Sequence, residues 1–278
     1  MDNTKFSVAM CVYGKDNPEW FEIAVESVLN QTVKPSEIVI VVDGPLTEEL
    51  YLITEKLSSN KIFKIIRFPE NRGHGEARRA GFEACSNELI AIMDADDISI
   101  PTRFEKQLKC FENNIDIVGG NIAEFIDDVN NVVGYRLVPQ SDADIKQYLK
   151  KRCPFNQVTV MLRKTMYLQS GGYIDWYWDE DYFLWIRMLQ NGATFMNIDE
   201  ILVNVRVGKE MYQRRGGIKY FKSEKKLQKY MLKNKIIGLP TYVINVLKRL
   251  IVQVLLPNKL RGWVFKKFAR NKNEFKKI

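Results

Sequence analysis

The chain has 278 residues, of which 46% are hydrophobic and 27% charged, and its formal net charge is +8. This is the composition of an ordinary globular protein, and the length suits one α/β enzyme fold with appendages. The four cysteines show no C-x-x-C spacing, which argues against a zinc site or a disulfide scaffold and fits a reducing cytoplasm. Because no apolar stretch follows a basic start, we expect no signal peptide.

The positive charge is concentrated at the C-terminal end. Residues 241–278 contain ten basic residues and one acid, so the preceding part of the chain is close to neutral. Proteins that bind nucleic acid usually carry their basic patch on the folded body. We therefore expect no nucleic-acid partner.

Strands and helices alternate along the first part of the chain. Buried strands are predicted at Phe6–Val12, Glu37–Val42, 62–68 and 89–93, with helices beginning at Pro18 and covering 47–58 and 75–85. This alternation predicts an α/β fold with a mostly parallel sheet between layers of helices. Ligands bind such sheets beyond the carboxyl ends of the strands, so we expect Tyr13, Asp43 and Asp94, which follow three strands, to face one cleft.

The second part of the chain is less regular. We predict a helix at 101–113, a hairpin of strands at 117–125 and 132–138, a strand at 156–163 and a helix at 181–190.

Three carboxylates crowd together after the strand at 89–93. Asp94, Asp96 and Asp97 lie within four positions, where like charges repel and are costly to bury unpaired. A hard divalent cation such as Mg²⁺ or Mn²⁺ prefers oxygen ligands and would remove this conflict. The alternative is a polar turn followed by a helix cap.

A second motif, NRGHGEARRAG at 71–81, places two glycines at the start of a helix whose early turns carry Arg78 and Arg79. Helix N-termini and arginines both suit phosphate oxygens, although a glycine-rich helix start with a solvated basic face would look the same. His74 is the only histidine, which excludes a Ser-His-Asp triad and a multi-histidine metal site. Asp43 is either an acceptor for a base or ribose or a turn residue before Gly44.

These motifs together resemble the inverting nucleotide-sugar glycosyltransferases of glycosyltransferase family 2, of the bacterial polysaccharide-assembly type. The matching segments are SVAMCVYGKDN, VVDG, NRGHGEARRAG, MDADD, WDEDYFLWIRM and RVGKEMYQRRGG, in the family's order from Phe6 to about Gly217. The resemblance implies the GT-A fold, which is Rossmann-like, with a mostly parallel central sheet and flanking helices. It implies a catalytic domain at 1–217, with a nucleotide-binding half at 1–98 and an acceptor-binding half at 99–217. A basic amphipathic helical tail at 218–278 would follow.

The resemblance also implies roles on the donor side. Tyr13 and Asp43 would hold the base and ribose, and Arg78 and the backbone of Gly73 would lie near the nucleotide. Asp94 would lie near the ribose or the metal-bound phosphate.

The same motif supplies the implied metal site. Asp96, with Asp94 beside it, would ligate Mg²⁺ or Mn²⁺ on the diphosphate, where the ion neutralises charge on the leaving group. The role of Asp97 stays open between capping the next helix and assisting with the sugar.

Inversion requires a base on the face opposite the leaving group, to take the proton of an acceptor hydroxyl. Glu180 and Asp181 match the family's acidic catalytic motif, with Asp181 as the base. Glu180 would bind the acceptor or shift the pKa of its neighbour. The alternative is that Asp179, Glu180 and Asp181 only stabilise a helix N-terminus.

Two further groups have weaker assignments. Gly171, Gly172 and Trp185 would shape the acceptor or sugar pocket, although a tryptophan at this helical spacing is equally a core residue. Arg214 and Arg215 would clamp the diphosphate from a loop, or are surface charges.

The tail contains an apolar segment, TYVINVLKRLIVQVLL at 241–256, whose polar residues fall on one helical stripe. Sixteen residues span about 24 Å at 1.5 Å per residue, which is less than a bilayer core of about 30 Å. A second apolar face follows Pro257 (Leu260, Trp263, Val264 and Phe268). We expect this tail to lie in an anionic membrane interface. The alternative is a helical cap packed on the catalytic domain, or an oligomer interface.

The sequence thus predicts transfer of a sugar from a nucleotide-sugar donor to a hydroxyl of a glycan or polyprenyl-diphosphate-linked acceptor. UDP is favoured by resemblance alone, and the product would be a capsule, O-antigen or exopolysaccharide. The protein would be cytoplasmic and peripheral on the inner face of the cell membrane. Whether it forms an oligomer is left open.

Two other functions would leave different residues in the sequence. A sugar-nucleotide pyrophosphorylase would carry a glycine-rich, arginine-containing loop after the first strand, where this chain has VYGKDNP at 12–18. A non-catalytic nucleotide-sugar-binding assembly subunit would not need to retain Asp94, Asp96 and Asp181 together.

Overall fold

A computed structural model describes residues 4–208 and 216–257 of the chain. The strands are β1 (Phe6–Val12), β2 (Glu37–Val42), β3 (Phe63–Arg67), β4 (Leu89–Met93), β5 (Ile98–Ser99), β6 (Ile117–Phe125), β7 (Val132–Arg136), β8 (Met161–Arg163) and β9 (Phe195–Arg206). The helices are α1 (Pro18–Leu29), α2 (Glu48–Ser58), α3 (His74–Ala84), α4 (Arg103–Phe111), α5 (Asp142–Leu149), α6 (Lys164–Gln169), α7 (Glu180–Gln190), α8 (Ile218–Lys233) and α9 (Leu239–Arg249). A π-helical segment, Leu250–Leu255, continues α9.

These strands form one sheet in the order β3-β2-β1-β4-β8-β6-β9-β5, with β7 paired to β6. The strands β3, β2, β1 and β4 are parallel, as the alternation of strands and helices predicts. Beyond β4 the sheet is mixed, because β8 runs antiparallel to both β4 and β6 while β6 and β9 are parallel. The mostly parallel arrangement therefore describes the N-terminal half, where helical crossovers join the strands.

The central strands are apolar on both faces because helices cover both sides of the sheet. Along β2, Ile38 and Ile40 point into one apolar cluster and Val39 points into the other. The first cluster contains side chains of α1 and α4, and the second contains side chains of α3, α7 and α8. This packing holds the carboxyl ends of β1, β2 and β4 side by side at one edge of the sheet.

Local signals explain where the first helices begin. The side chain of Asn17 accepts a hydrogen bond from the Trp20 N–H, and Pro18 occupies the first turn of α1. The hydroxyl of Thr47 caps α2 in the same way, by accepting from the Leu50 N–H.

Among the strands, the predicted hairpin of β6 and β7 is confirmed. The single strand predicted at 156–163 is wrong, because a 3₁₀ turn at Gln157–Thr159 precedes the short strand β8.

The C-terminal helices pack on the rest of the chain. Leu227 and Met231 of α8 lie in the same apolar cluster as Trp185 of α7. From α9, the Asn245 side chain donates hydrogen bonds to the Lys150 carbonyl at 2.9 Å and to Gln228 Oε1 at 2.8 Å. The boundary at residue 217 stays a prediction.

Asn245, Arg249 and Gln253 of the polar stripe at 241–256 face the protein while Lys248 is exposed, and the apolar side faces outward. Asn245 and Gln253 are 4% and 5% exposed. The outward side chains are 44–64% exposed and comprise Val243, Ile244, Leu247, Ile251 and Leu255. None of the helices within 4–208 and 216–257 is long and apolar enough to cross a membrane. The second apolar face predicted after Pro257 lies outside the described residues.

Candidate active site

The carboxylate of Asp43 holds the loop that precedes α3. It accepts hydrogen bonds from the backbone N–H groups of Arg72 at 2.7 Å and Gly73 at 3.0 Å, and it is 6% exposed. The next residue, Gly44, has φ +89° and lies against the Asn71 backbone, where a side chain would not fit. Asp43 is therefore the support of the glycine-rich loop, and its binding to a base or ribose stays a prediction.

The three carboxylates of the acidic motif after β4 differ in their exposure to solvent. Asp96 is exposed and Asp94 is half-buried, whereas Asp97 is 3% exposed. Asp97 Oδ1 accepts a hydrogen bond from the Arg206 N–H at 2.9 Å, which ties the motif to the end of β9. Burial, and then the charges of Asp96 and Asp94, raise the pKa of Asp97 well above its usual range. Asp97 does not cap the next helix, since Thr102 precedes α4.

Asp16 is a further carboxylate at this edge, and the sequence reasoning missed it. Its side chain accepts a hydrogen bond from the Tyr13 N–H at 2.9 Å, in the loop after β1. Burial raises the pKa of Asp16 to about 7, and the charges of Asp96 and Asp94 act in the same direction. Asp16 lies within the SVAMCVYGKDN segment, so an acid following a strand end was the available signal. Tyr13 lies at the same edge of the sheet, and 39% of it is exposed.

A buried arginine joins the acidic motif to the start of α7. Arg78 Nη2 donates to Asp94 Oδ1 and Arg78 Nη1 to Glu180 Oε1, both at 3.0 Å. The Arg78 side chain is 7% exposed and that of Glu180 is 12% exposed. Although burial lowers the pKa of Arg78, the charges of Asp94 and Glu180 outweigh it and raise the pKa. Arg78 thus brings together two motifs that are far apart in the sequence.

The first turn of α7 carries the two acids predicted as catalytic. Asp181 is half-buried; its Oδ1 accepts from the Tyr182 N–H at 2.6 Å, and the Cys153 thiol donates to its Oδ2 at 3.8 Å. Burial raises the pKa of Glu180, against the opposing charge of Arg78 and with the like charge of Asp181. Glu180 has a partner on another element, Arg78 of α3, whereas Asp181 Oδ1 accepts from an N–H of α7 itself. A catalytic role for the two acids stays a prediction.

Asp179 precedes α7 and faces the C-terminal helices. Burial raises its pKa well above the usual range, and the charges of Glu224 and Asp181 add to the shift. Glu224 forms an ion pair with Arg249 at 2.5 Å, with both side chains about one-tenth exposed, and accepts from Gln253 Nε2 at 2.7 Å. Charged residues of α8 and α9 therefore lie close enough to influence the carboxyl of Asp179, the residue beside the two candidate catalytic acids.

His74 begins α3, and its charge state follows from its neighbours. The positive charge of Arg78, followed by burial, lowers the pKa of His74 to about 4, against the opposing effect of Asp94. His74 is therefore neutral near pH 7, and it lies at the start of the helix that carries Arg78.

Two further arginines support the acidic motif and were not predicted. Arg206 Nε donates to the Asp96 carbonyl at 3.2 Å, and its guanidinium lies 4.5 Å from the Trp20 ring centre. Arg103 is fully buried in α4 and donates to the Ile92 carbonyl of β4 at 2.8 Å. Burial lowers the pKa of Arg103 to about 9, while Asp94 and Asp97 oppose this. An arginine on the apolar side of a helix was the available sequence signal.

The residues predicted to shape the acceptor or sugar pocket lie in different surroundings. Trp185 is fully buried and packs edge-on against Phe155, with ring centres 5.4 Å apart, as a core residue does. Gly171 and Gly172 have φ +78° and +61° in a tight turn, and a Cβ on Gly172 would approach the Tyr167 hydroxyl to 2.9 Å. A role for these residues in shaping the sugar pocket stays a prediction. Arg214 and Arg215 lie outside the described residues.

The acidic motif fits a metal ion that the protein and a substrate would hold together. Within the described parts of the chain, no group of three or more His, Cys, Asp or Glu residues is arranged to hold a metal ion. Mg²⁺ usually keeps several waters and binds one or two carboxylates together with substrate phosphates. Burial is the main cause of the raised pKa of Asp16, and the charges of Asp96 and Asp94, the two residues that would supply those carboxylates, add to it.

Comparison with known sequences identifies relatives along nearly the whole chain. The family model for glycosyl transferase family 2 matches residues 7–171. A UDP-Gal:α-D-GlcNAc-diphosphoundecaprenol β-1,3-galactosyltransferase of Escherichia coli is 36% identical over 271 residues, 97% of this chain and 98% of the relative. The amylovoran biosynthesis glycosyltransferase AmsE of Erwinia amylovora is 34% identical over 264 residues, 94% of this chain and 98% of the relative.

Solved structures show the same fold at low sequence identity. Staphylococcus aureus TarS 1–349 in complex with UDP-GlcNAc has a TM-score of 0.65 and 16% identity, with 94% of this chain and 79% of that chain covered. The mannosyltransferase PcManGT of Pyrobaculum calidifontis, in complex with GDP-Man and Mn²⁺, has a TM-score of 0.60 and 13% identity, with 92% and 71% covered. With the GT-A fold and the matched family model, this chain belongs to glycosyltransferase family 2.

Proposed function

We propose that this protein transfers a sugar from a nucleotide-diphosphate sugar, with UDP as the favoured nucleotide, to a hydroxyl of a lipid-linked or glycan acceptor. The transfer inverts the anomeric centre and serves assembly of a surface polysaccharide. The observation that carries this proposal is the bridge from Asp94 through Arg78 to Glu180, which joins a donor-side acidic motif to the helix start that carries Asp181.

On the donor side, the nucleotide would lie beyond the carboxyl ends of β1, β2 and β4. Tyr13 and the loop held by Asp43 stand at the ends of β1 and β2, and the backbone N–H groups at the start of α3 suit phosphate. Asp96, with Asp94, would hold Mg²⁺ or Mn²⁺. When bound, such an ion neutralises the charge that develops on the leaving diphosphate.

On the acceptor side, Asp181 would take the proton of the attacking hydroxyl. The Tyr182 N–H and the Cys153 thiol hold its two oxygens, which orients the carboxylate at the start of α7. A helix N-terminus favours the ionised form, which a base requires. Glu180, fixed by Arg78, would position the acceptor or its neighbour Asp181 rather than accept the proton.

The relatives support the substrate classes. One is named for UDP-Gal and a diphosphoundecaprenol-linked GlcNAc, and another for amylovoran biosynthesis. We extend these classes to this chain as a nucleotide-sugar donor and a polyprenyl-diphosphate-linked acceptor. A lipid-linked acceptor also gives the outward apolar face of α9 and the basic C-terminal end a role in contacting the inner face of the cell membrane.

The proposal is tested with the full chain, UDP-sugars and Mn²⁺ or Mg²⁺. Ligands that bind the folded protein should raise its unfolding temperature, and the size of the shift for each ligand identifies the nucleobase, the sugar and the need for metal.

D181N should lower transfer on the order of 10² to 10⁴-fold while UDP still binds, because it removes only the carboxylate that takes the proton. The exposed D128N is the control and should transfer as the parent does. Full activity in D181N would show that another residue is the base.

A further inference from the structure

A cavity of about 280 Å³ lies between the segment that leads into α7 and the first turns of α8. Its lining includes Asp175, Trp176 and Tyr177 on one side and Lys219, Lys222 and Lys226 on the other. None of these residues belongs to a motif used above. The cavity therefore needs its own explanation.

The three lysines give the cavity its charge. Lys219, Lys222 and Lys226 are spaced three and four residues apart, so they share one side of α8. The ammonium of Lys219 lies 4.0 Å from the Tyr177 ring centre, and that of Lys226 lies 4.2 Å from the Trp176 ring centre. Within the described residues, none of the three forms an ion pair with a carboxylate. Three ammonium groups around one cavity, against the single carboxylate of Asp175, favour an anionic ligand.

A further donor has no hydrogen-bond partner at this place. The Nε1 atom of Trp176 is buried and makes no hydrogen bond. Leaving an N–H group unsatisfied is costly, so native proteins usually pair such groups with protein atoms, water or a ligand. The Trp176 N–H is thus a donor without an acceptor in a residue that lines the cavity.

The cavity adjoins the reaction site through short, fixed connections. The Ser223 hydroxyl donates to the Tyr177 carbonyl at 2.6 Å, and the Asp179 N–H donates to the Trp176 carbonyl at 3.3 Å. The segment then enters α7 at the candidate acids. Its Asp175 Cα lies 3.8 Å from where a Cβ on Gly75 of α3 would stand. One wall of the lysine-lined cavity is thus the segment that leads into α7 and lies against the start of α3.

Exposed apolar residues are the sequence neighbours of the lining residues in both segments that form the cavity. Ile174 and Trp178 flank the aromatic pair and are 43% and 50% exposed, and Ile218 precedes Lys219 and is 60% exposed. A ligand that is anionic at one end and apolar beyond it would match both features.

We infer that this cavity binds the diphosphate group of the lipid-linked acceptor, with Lys219, Lys222 and Lys226 as its cationic partners. The inference rests on the proposed function, because it assigns the acceptor's diphosphate to the same reaction site. It places the acceptor's anionic group on α8 and its sugar toward Asp181, while the donor diphosphate belongs to the acidic motif and its metal ion.

The test measures binding of geranyl diphosphate by calorimetry, with UDP and Mn²⁺ present to fill the donor site. K222Q/K226Q keeps much of each apolar stem and removes the charges, and it should weaken binding on the order of tenfold or more. The matched control is K225Q/K229Q, which removes two exposed lysines of α8 that do not line the cavity and should change affinity less than about twofold. K222R/K226R keeps the charges and should bind nearly as the parent does.

Three results would overturn the inference. One is unchanged affinity for geranyl diphosphate in K222Q/K226Q. Another is an equal loss of UDP affinity in that variant, which would assign the lysines to the donor. The third is binding of geraniol as tight as that of geranyl diphosphate, which would make the cavity an apolar site.

The transfer reaction separates this inference from the proposed function. In K222Q/K226Q, KM for a diphosphate-linked acceptor should rise relative to KM for a phosphate-free glycoside of the same sugar. An unchanged ratio would refute the cavity assignment and leave the transferase proposal standing. If the parent chain transferred no sugar and yet bound geranyl diphosphate through these lysines, the diphosphate site would stand and the proposed reaction would fail.

Discussion

Arg78 shows how one residue determines the geometry of this site. Its planar guanidinium has several N–H groups that point in fixed directions, so it satisfies Asp94 and Glu180 at once at 3.0 Å each. A lysine would offer one ammonium and could not hold both acids in the same geometry. The buried charges are tolerable because they are paired, and removing the cation leaves two carboxylates partly buried and unmatched.

R78M should therefore lower the free energy of unfolding by about 3–5 kcal/mol and reduce kcat, since Glu180 loses its anchor. The adjacent R79M removes an exposed arginine paired with Glu83 on the surface of α3, and should cost less than about 0.5 kcal/mol. Urea unfolding and steady-state kinetics measure both effects. Similar losses in the two variants would mean that burial of the ion pairs is not the cause.

At the scale of single residues, the sequence predicted the acidic side chains better than the residues that pair with them. Asp94 and Asp181 were selected because they follow a buried strand and begin an amphipathic helix. The bridge through Arg78, the carboxylate of Asp16 and the support by Arg206 depend on which strand ends meet in space. No spacing along the chain expresses that proximity.

At the scale of elements, the loop after β2 and the loop before α3 each depend on a glycine, and the two glycines differ in their surroundings. Both Gly44 and Gly73 have positive φ, which costs a residue with a Cβ roughly 1–2 kcal/mol. A Cβ on Gly44 would also lie 2.6 Å from the Asn71 nitrogen, whereas nothing lies within 4 Å of one on Gly73.

G44A should therefore destabilise the protein by more than about 2 kcal/mol and weaken UDP binding, because the loop held by Asp43 must move. G73A should cost only the conformational part, roughly 1–2 kcal/mol. Urea unfolding and UDP titration of both variants make the comparison. Equal costs would show that contact with the Asn71 backbone is not limiting.

The contact between α7 and α8 makes stability depend on pH. Asp179 has its pKa raised by burial and by Glu224 and Asp181, so the folded protein binds this proton more tightly than the unfolded chain does. Above the ordinary carboxyl pKa of about 4, the free energy of unfolding then falls as pH rises toward the raised value.

D179N removes this ionisation, so its free energy of unfolding relative to the parent should rise as the pH increases above about 4. The gain should grow with pH until Asp179 of the parent is ionised in the folded state. Urea unfolding across this range measures it, with the exposed D128N as control. A difference that does not change with pH would assign the effect to packing.

At the scale of the molecule, the C-terminal helix has its polar side on the protein and its apolar side outward. This arrangement arises because Asn245, Arg249 and Gln253 find partners on Lys150, Lys151, Gln228 and Glu224. Buried polar groups are kept where they are hydrogen-bonded, so α9 is both a cap on the catalytic fold and a carrier of exposed apolar surface. The two alternatives left open by the sequence are therefore compatible.

I244E/I251E should reduce cosedimentation with anionic vesicles by roughly tenfold, because it places carboxylates on the outward face. Its free energy of unfolding should change by less than about 0.5 kcal/mol, as for surface positions. L52E, which alters an exposed leucine of α2, should bind vesicles as the parent does. Vesicle binding that is unchanged in I244E/I251E would argue against membrane contact through α9.

The sequence by itself determined the α/β alternation, the parallel strands of the N-terminal half, the family and the acids at the strand and helix ends. Those properties follow from the periodicity of apolar residues and from motifs whose residues are close together in the sequence. Only the tertiary structure decided that β8 turns the sheet antiparallel, that Arg78 joins two distant motifs, and that the polar stripe of α9 faces inward. The direction of β8 depends on which strands pair, and the other two depend on which buried polar groups find partners across the fold.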